Sequence, residues 1–111
     1  MTCVEHNITV VNIHKGQPCD LYIGRMAKSH LHFGNPFKVG EHGTREECVG
    51  MYEEWLRGLS FQTVEPKRRS WILSVLRQLE GKALGCFCAP LVCHGHILIK
   101  LWEESFGNTT N

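Results

Sequence analysis

Amphipathic helical patterns occupy most of the second half of the chain and limit the folds that it can adopt. Thr44 and Glu47 have the spacing of a capping box, in which the two side chains satisfy exposed backbone donors at the start of a helix. A helix is therefore expected to begin directly after Thr44. Apolar side chains then recur at helical spacing and predict one buried face: Cys48, Met51, Tyr52, Trp55, Leu56 and Leu59.

Two further helices are predicted towards the C-terminus. Pro66 suits the first position of a helix, and Gly81 suits its C-terminal cap. The apolar stripe between them consists of Trp71, Ile72, Val75, Leu76 and Leu79. The last helix is expected to start near Cys93 or His94. It should bury four side chains: Ile97, Leu98, Leu101 and Trp102.

Three short apolar segments are predicted to be strands. Residues 8–13 and 21–24 are rich in β-branched or apolar side chains and are separated by a glycine-containing turn, so they are predicted to be neighbouring strands. Residues 82–87 lie between Gly81 and Pro90 and are mostly apolar, as expected of a buried strand. The order β-β-loop-α-α-β-α predicts an α/β fold, in which about three helices cover a small sheet.

The composition of the chain excludes several classes of function. With 111 residues, of which 42% are hydrophobic, residues 1–111 are expected to form one domain with a frayed tail at about 106–111. The net charge of +1 gives no global basic field, so nucleic acid is not favoured as a partner and any anionic ligand must be held locally. The sequence has neither an export-signal pattern nor an apolar stretch of roughly 20 residues that would span a bilayer. We therefore expect a cytoplasmic protein without a membrane partner, whose six cysteines are reduced.

The segment 84–96 contains three of the six cysteines and two of the seven histidines. Cys86 and Cys88 are two residues apart on an extended segment, so their side chains are expected to point to the same side. Together with Cys93 and His96 they offer the ligand types of a structural zinc site. The spacing is not that of a standard zinc ribbon or finger, and the alternative is that the thiols pack as small buried hydrophobes.

The same segment supports two other interpretations. A helix that starts at Cys93 presents first-turn N–H groups and the positive end of its dipole, and both favour a bound phosphate. The Cys93 thiolate at that position would also be a competent nucleophile, with His94 or His96 as the acid or base of a catalytic site.

Two upstream motifs suit a phosphorylated ligand. Arg25 follows a predicted strand, and the ends of strands are where open α/β sheets present ligand groups. Arginine favours phosphate because its planar fork donates two parallel hydrogen bonds. In the long loop 25–43, Gly34 permits close approach of a ligand, Asn35 suits a base or ribose, and Phe37 suits stacking.

Several other polar residues have plainer interpretations. Asn12 is a ligand candidate, although an asparagine at the end of a strand more often forms a turn. His30, His32 and His42 are predicted to be solvent-exposed loop residues, because no carboxylate has a ligand spacing to them. Residues 67–69, Lys-Arg-Arg, are predicted to be a solvated helix face rather than an RNA-binding patch.

These motifs occur together, and in order, in one known family. The chain resembles the bacterial and phage domain-of-unknown-function family 4326 through Val10-Val-Asn12, Tyr22-Ile-Gly-Arg25, Gly34-Asn-Pro-Phe37, Gly43-Thr-Arg-Glu46, Tyr52, Trp55-Leu56 and the segment 84–95. The resemblance implies a pocket built from the Gly-Arg, Gly-Asn-Pro-Phe and Cys-His-Gly segments. The ligand-binding residues are therefore predicted to be Asn12, Tyr22, Gly24, Arg25, Gly34, Asn35, Pro36, Phe37, Cys93, His94 and Gly95. The family usually has a tryptophan at position 87 and an acid at position 96, so this chain departs from it at Phe87 and His96.

The sequence thus predicts a small cytoplasmic domain that binds a nucleotide or a related phosphorylated ligand. The phage association that the resemblance implies would suit a role in host-defence conflict. One alternative is an enzyme that acts on a nucleotide or nucleoside through Cys93, His94 and His96. Another is a zinc-stabilised module that binds protein, with the metal held by Cys86, Cys88, Cys93 and His96.

Overall fold

Within the described residues, three short parallel strands form the sheet, and the last of them in sequence lies in the middle. The computed structural model describes residues 7–24, 31–86 and 93–107. The strands are β1 (Thr9–Asn12), β2 (Leu21–Tyr22) and β3 (Ala83–Cys86), in the order β1-β3-β2. Both outer strands run parallel to β3. The prediction that the first two strands are neighbours is therefore wrong, because β3 separates them.

Gly85 explains how the chain passes from β1 to β2 without an α-helix between them. A Cβ atom at Gly85 would lie 2.5 Å from Sγ of Cys19 and 2.8 Å from Cγ2 of Ile13, so the connection 13–20 crosses directly over this residue. The backbone N–H and a carboxylate oxygen of Asp20 then pair with the backbone of Ala83, each over 2.8 Å. The missing side chain of Gly85 thus leaves room for a short crossing over the middle strand.

Helix α1 (Arg45–Arg57) begins with the predicted capping box. Oγ1 of Thr44 accepts from the Glu47 N–H at 3.2 Å, and Oε1 of Glu47 accepts from the Thr44 N–H at 2.8 Å. The buried residues of the helix are Cys48, Val49, Tyr52, Trp55 and Leu56. Leu59, which was assigned to the same face, is 68% exposed because the helix ends at Arg57 and is capped by Gly58.

Helix α2 (Pro66–Val75) starts at the predicted proline and is followed by a 3-10 turn (Leu76–Leu79), so it ends well before Gly81. The predicted solvated face at 67–69 is wrong for two of its three residues. Arg68 is only 3% exposed, and the half-buried Arg69 donates to the carbonyl oxygens of Trp55 and Leu56 at the end of α1. These guanidinium groups satisfy buried backbone acceptors, whereas Lys67 is exposed.

Helix α3 (His94–Trp102) starts where predicted and buries the four predicted apolar side chains. Gly95 in its first turn packs tightly against Ile23 and Val10. A Cβ atom added to Gly95 would lie only 2.8 Å from Cδ1 of Ile23 and 3.1 Å from Cγ2 of Val10. A π-helical turn (Glu103–Gly107) continues α3. There Phe106, which the sequence placed in a frayed tail, packs its ring 5.6 Å from that of Trp102. Residues 108–111 lie outside the described residues.

The buried apolar side chains form one continuous cluster, whose largest members are Trp55, Trp102 and Tyr52. It joins the three helices to the sheet. Among the described helices, none has the length and apolar character needed to cross a bilayer.

Candidate functional site

A cavity of about 550 Å³ lies where β2 and β3 end and α3 begins. Seven of the residues that line it were singled out from the sequence as ligand or metal candidates: Tyr22, Gly24, Asn35, Phe37, Cys86, Cys93 and His94. Five others were not: Lys38, Val39, Arg45, Cys48 and Val49. The fold thus brings together candidates from three separated parts of the chain. The carboxyl ends of parallel strands are the usual place for a ligand in α/β proteins.

Four other ligand candidates that the structure describes do not line the cavity. Asn12 caps the 3-10 turn after β1, because its Oδ1 accepts from the His14 N–H at 2.8 Å. Gly34, Pro36 and Gly95 lie near the cavity in sequence but not on its wall. Arg25 lies outside the described residues, as does His30.

Two buried side chains hold the loop that forms one wall of the cavity. Nη1 of Arg68 donates to the carbonyl oxygens of His32 and Gly34, at 3.0 and 2.6 Å. The hydroxyl of Tyr52 donates to the carbonyl oxygen of Phe33 between them, at 2.7 Å. Burial raises the pKa of Tyr52 far above its ordinary value, against the opposing effect of Arg68, so the hydroxyl stays a donor. Three consecutive carbonyl groups are thus fixed by helices α1 and α2.

The amide of Asn35 is engaged by the backbone of the protein. Its Nδ2 donates to the carbonyl oxygen of Cys48 at 3.0 Å, and its Oδ1 accepts from the Phe37 N–H at 2.9 Å. The Phe37 ring packs 4.6 Å from that of Phe61. These bonds tie the loop to α1 and shape the cavity wall, and the contact of Asn35 with a base or ribose stays a prediction.

Two histidines of the loop accept hydrogen bonds from its backbone. Nδ1 of His32 accepts from the Gly34 N–H at 3.1 Å, and Nδ1 of His42 accepts from the Lys38 N–H at 2.9 Å. His42 is exposed as predicted, but His32 is half-buried.

His94 joins the start of α3 to the end of β2. Its Nε2 lies 2.6 Å from the carbonyl oxygen of Ile23, and because a carbonyl can only accept, Nε2 carries a hydrogen. The imidazole also meets the ring of Tyr52 edge to face, with centroids 5.1 Å apart. These contacts fix the orientation of a ring that lines the cavity.

Tyr22 and Gly24 are in close contact on the cavity wall. A Cβ atom at Gly24 would overlap the hydroxyl and ring of Tyr22, so the phenol packs directly against the glycine. Any larger residue at position 24 would displace the Tyr22 ring, which itself lines the cavity.

Two of the four predicted zinc ligands lie side by side. Sγ of Cys86 and Sγ of Cys93 are 3.7 Å apart, neither residue forms a disulfide, and each is 1% exposed. His96 instead caps α3, with its Nδ1 accepting from the Cys93 N–H at 3.1 Å. Cys88 lies outside the described residues, and among the described side chains no three metal-binding groups cluster. The zinc set therefore stays a prediction.

The predicted anion site at the start of α3 is also partly engaged by the protein. The Cys93 N–H donates to His96, and the His96 N–H donates back to the carbonyl oxygen of Cys93 at 3.0 Å. The helix dipole still points its positive end at this part of the cavity wall.

Among the described lining residues, positive charge comes from two that were not predicted to bind a ligand. Lys38 and Arg45 line it, and none of the described lining residues is acidic. Lys38 and Glu41 form a long ion pair of 4.0 Å between well-exposed side chains, which holds the ammonium group only weakly. Arg45 is the first residue of α1, where the helix dipole disfavours a cation. A cation in such an unfavourable position is the sequence feature that could have indicated a ligand-binding role for Arg45.

Comparison with known proteins supports a family assignment. The model of the family described as "Domain of unknown function (DUF4326)" matches residues 8–104. An uncharacterised 12.4 kDa protein of the nrdA-td intergenic region of Enterobacteria phage T4 is 27% identical over 101 residues, covering 86% of this chain and 73% of the phage protein. No solved structure matches the chain. Since the family model covers most of its length, the chain belongs to the DUF4326 family of domains of unknown function.

Proposed function

We propose that the cavity binds a nucleotide or a related small molecule that carries phosphate. The observation that carries this proposal is the charge of the wall: Lys38 and Arg45 contribute two cations, and the described lining residues contribute no acid. In a protein whose formal net charge is only +1, this local excess favours an anion. An arginine also matches the geometry of phosphate, because it donates two parallel hydrogen bonds.

The size and lining of the cavity favour a molecule larger than inorganic phosphate. A volume of about 550 Å³ lies within the range of pockets that hold small organic ligands, roughly 300–1,000 Å³. Phe37, Val39 and Val49 give the wall an apolar part on which a base or sugar ring would pack. The charge and the apolar wall together fit a phosphate group joined to an organic moiety.

Isothermal titration with four probes tests the proposal: AMP, ADP-ribose, adenosine and inorganic phosphate. We expect AMP or ADP-ribose to bind, and adenosine and phosphate alone to bind at least tenfold more weakly. Arg45→Ala should weaken the binding of AMP about tenfold, which corresponds to about 1.4 kcal/mol, the scale of one charge-assisted interaction. Lys38→Ala should weaken it less, because the exposed ammonium group is more strongly screened.

Lys67→Ala is the matched control, since Lys67 is exposed at the start of α2 and does not line the cavity. It should bind AMP as the wild type does. The proposal fails if no probe binds, or if Arg45→Ala and Lys67→Ala are indistinguishable.

An enzymatic role for the same cavity is favoured by one observation: Cys93 and His94 both line it. Chromatography of each probe after incubation with the protein would show turnover. In that case Cys93→Ser should abolish product formation while binding of the probe persists. Unchanged probes, or turnover that survives Cys93→Ser, would exclude a nucleophilic role for this thiol.

A further inference from the structure

We propose that Cys86 and Cys93 are a redox-active thiol pair, which an oxidant of the peroxide class converts to a reversible disulfide at the cavity wall. This inference does not rest on the proposed function. It concerns two thiols that the fold places side by side on the cavity wall, whichever ligand the cavity holds.

The two sulfur atoms lie close to the distance at which a disulfide forms. They are 3.7 Å apart, and a disulfide requires about 2.05 Å, so a relative movement of about 1.6 Å joins them. Cys86 ends β3, and Cys93 is the N-cap of α3. Only six residues separate the pair in sequence, so closing the bond demands no rearrangement of distant parts of the chain.

Both thiols have access to a small oxidant although each residue is 1% exposed, because both line the cavity. The surroundings also favour Cys93 as the sulfur that reacts first. It lies at the N-terminus of a helix of nine residues, and the dipole there stabilises negative charge on an adjacent sulfur. Cys48, the third thiol on the wall, differs in that its Sγ lies 3.7 Å from the carbonyl oxygen of Gly43.

The reaction balances with hydrogen peroxide as the oxidant. The Cys93 thiolate attacks one peroxide oxygen, so that an S–O bond forms, the O–O bond breaks and hydroxide leaves. The Cys86 thiolate then attacks the sulfenic sulfur, so that the S–S bond forms and the S–O bond breaks with loss of a second hydroxide. The two thiol protons convert both hydroxides to water, and two electrons pass from the sulfurs to peroxide.

Peptide mapping of the intact protein tests the pair directly. The reduced protein is treated with hydrogen peroxide, alkylated with N-ethylmaleimide under denaturing conditions and digested with chymotrypsin without reductant. Cleavage after Phe87 and Leu91 places Cys86, Cys88 and Cys93 on three different peptides. We expect a crosslink between the Cys86 and Cys93 peptides, which dithiothreitol removes.

Three variants make the result specific. Cys86→Ser should abolish the crosslink and leave Cys93 as a sulfenic acid that dimedone traps. Cys48→Ser and Cys88→Ser should still form it, and because Cys48 is equally buried, the former controls for the effect of altering a buried thiol. Should Cys86→Ser not fold, dimedone added to the wild type together with peroxide should trap Cys93 and, by blocking the second step, lower the yield of the crosslink. Recovery of both thiols alkylated while the exposed Cys19 is oxidised would overturn the proposal, as would a crosslink through Cys88.

Discussion

Nη1 of Arg68 donates to the carbonyl oxygen of Gly34 over 2.6 Å, and this bond ties the second helix to the loop that walls the cavity. The guanidinium also donates to both carboxylate oxygens of Glu65, at 2.8 and 3.1 Å, and lies 5.2 Å from the centroid of the Trp55 ring. Its hydrogen bonds lower the pKa of Glu65, which keeps that partner ionised. One buried cation therefore links α2, α1 and the loop.

Replacing Arg68 with leucine should cost about 3 kcal/mol or more of unfolding free energy. The change leaves the carbonyl groups of His32 and Gly34 without their buried donor, and each unsatisfied buried acceptor costs about 1–3 kcal/mol. Urea unfolding measures the loss. Lys67→Leu, one residue away and exposed, should change the free energy by less than about 0.5 kcal/mol. Equal effects of the two changes would show that Arg68 does not hold the loop.

Tyr52→Phe should destabilise the protein by about 1–2 kcal/mol at pH 8, because the carbonyl oxygen of Phe33 loses its donor. The difference should shrink above pH 10. The pKa of Tyr52 is higher in the folded state than in the unfolded chain, where it is about 10, so its contribution is complete below pH 10 and falls as the pH rises further. Urea unfolding of both proteins at pH 8 and pH 11 measures the change. A constant difference would contradict the burial of this hydroxyl.

Gly85→Ala should cost about 1–3 kcal/mol, because the new methyl group would meet Sγ of Cys19 and Cγ2 of Ile13 where the chain crosses the middle strand. Gly50→Ala is the matched control. Gly50 lies inside α1 with open space around the site of its Cβ, so alanine there should stabilise the protein by about 0.5–1 kcal/mol. Thermal or urea unfolding of the two variants should therefore give shifts of opposite sign. If Gly85→Ala stabilised the protein, the connection 13–20 would not be in close contact with β3 at this residue.

Local patterns in the sequence were sufficient to place the helices but not the sheet order. The capping box at Thr44 and the proline at position 66 act within one helical turn, so both helix starts were predicted correctly. The position of β3 between the other two strands brings the connection 13–20 against Gly85, whose lack of a side chain matters only once that distant segment crosses it. A glycine in an apolar strand does not reveal which segment will pass over it.

The sequence predicted most of the segments that form the candidate site, but it did not predict the positions of the arginines Arg45 and Arg68. Seven lining residues belong to motifs whose spacing already indicated a loop, a strand end or a helix start. Arg68 was assigned to solvent because a basic tripeptide in a helix is usually exposed, and only the carbonyl groups of the folded loop explain its burial. Arg45 lines the cavity because α1 starts beside it, and sequence alone does not show where a helix starts in space.

Oxidation of the Cys86 and Cys93 pair should weaken the binding of AMP at least tenfold. Because β3 is held by a strand on each side, the movement of about 1.6 Å that joins the sulfurs must occur mainly at the start of α3. That movement disturbs the 2.6 Å contact between His94 and Ile23 and shifts the wall on which both thiols lie. Titration of AMP into peroxide-treated protein, before and after dithiothreitol, measures the effect, and reduction should restore the affinity. Cys86→Ser, which cannot form the crosslink, should lose much less affinity for AMP than the wild type does after the same peroxide treatment. If the fully crosslinked protein bound AMP as tightly as the reduced one, oxidation and ligand binding would be independent, and the disulfide would not reshape the cavity.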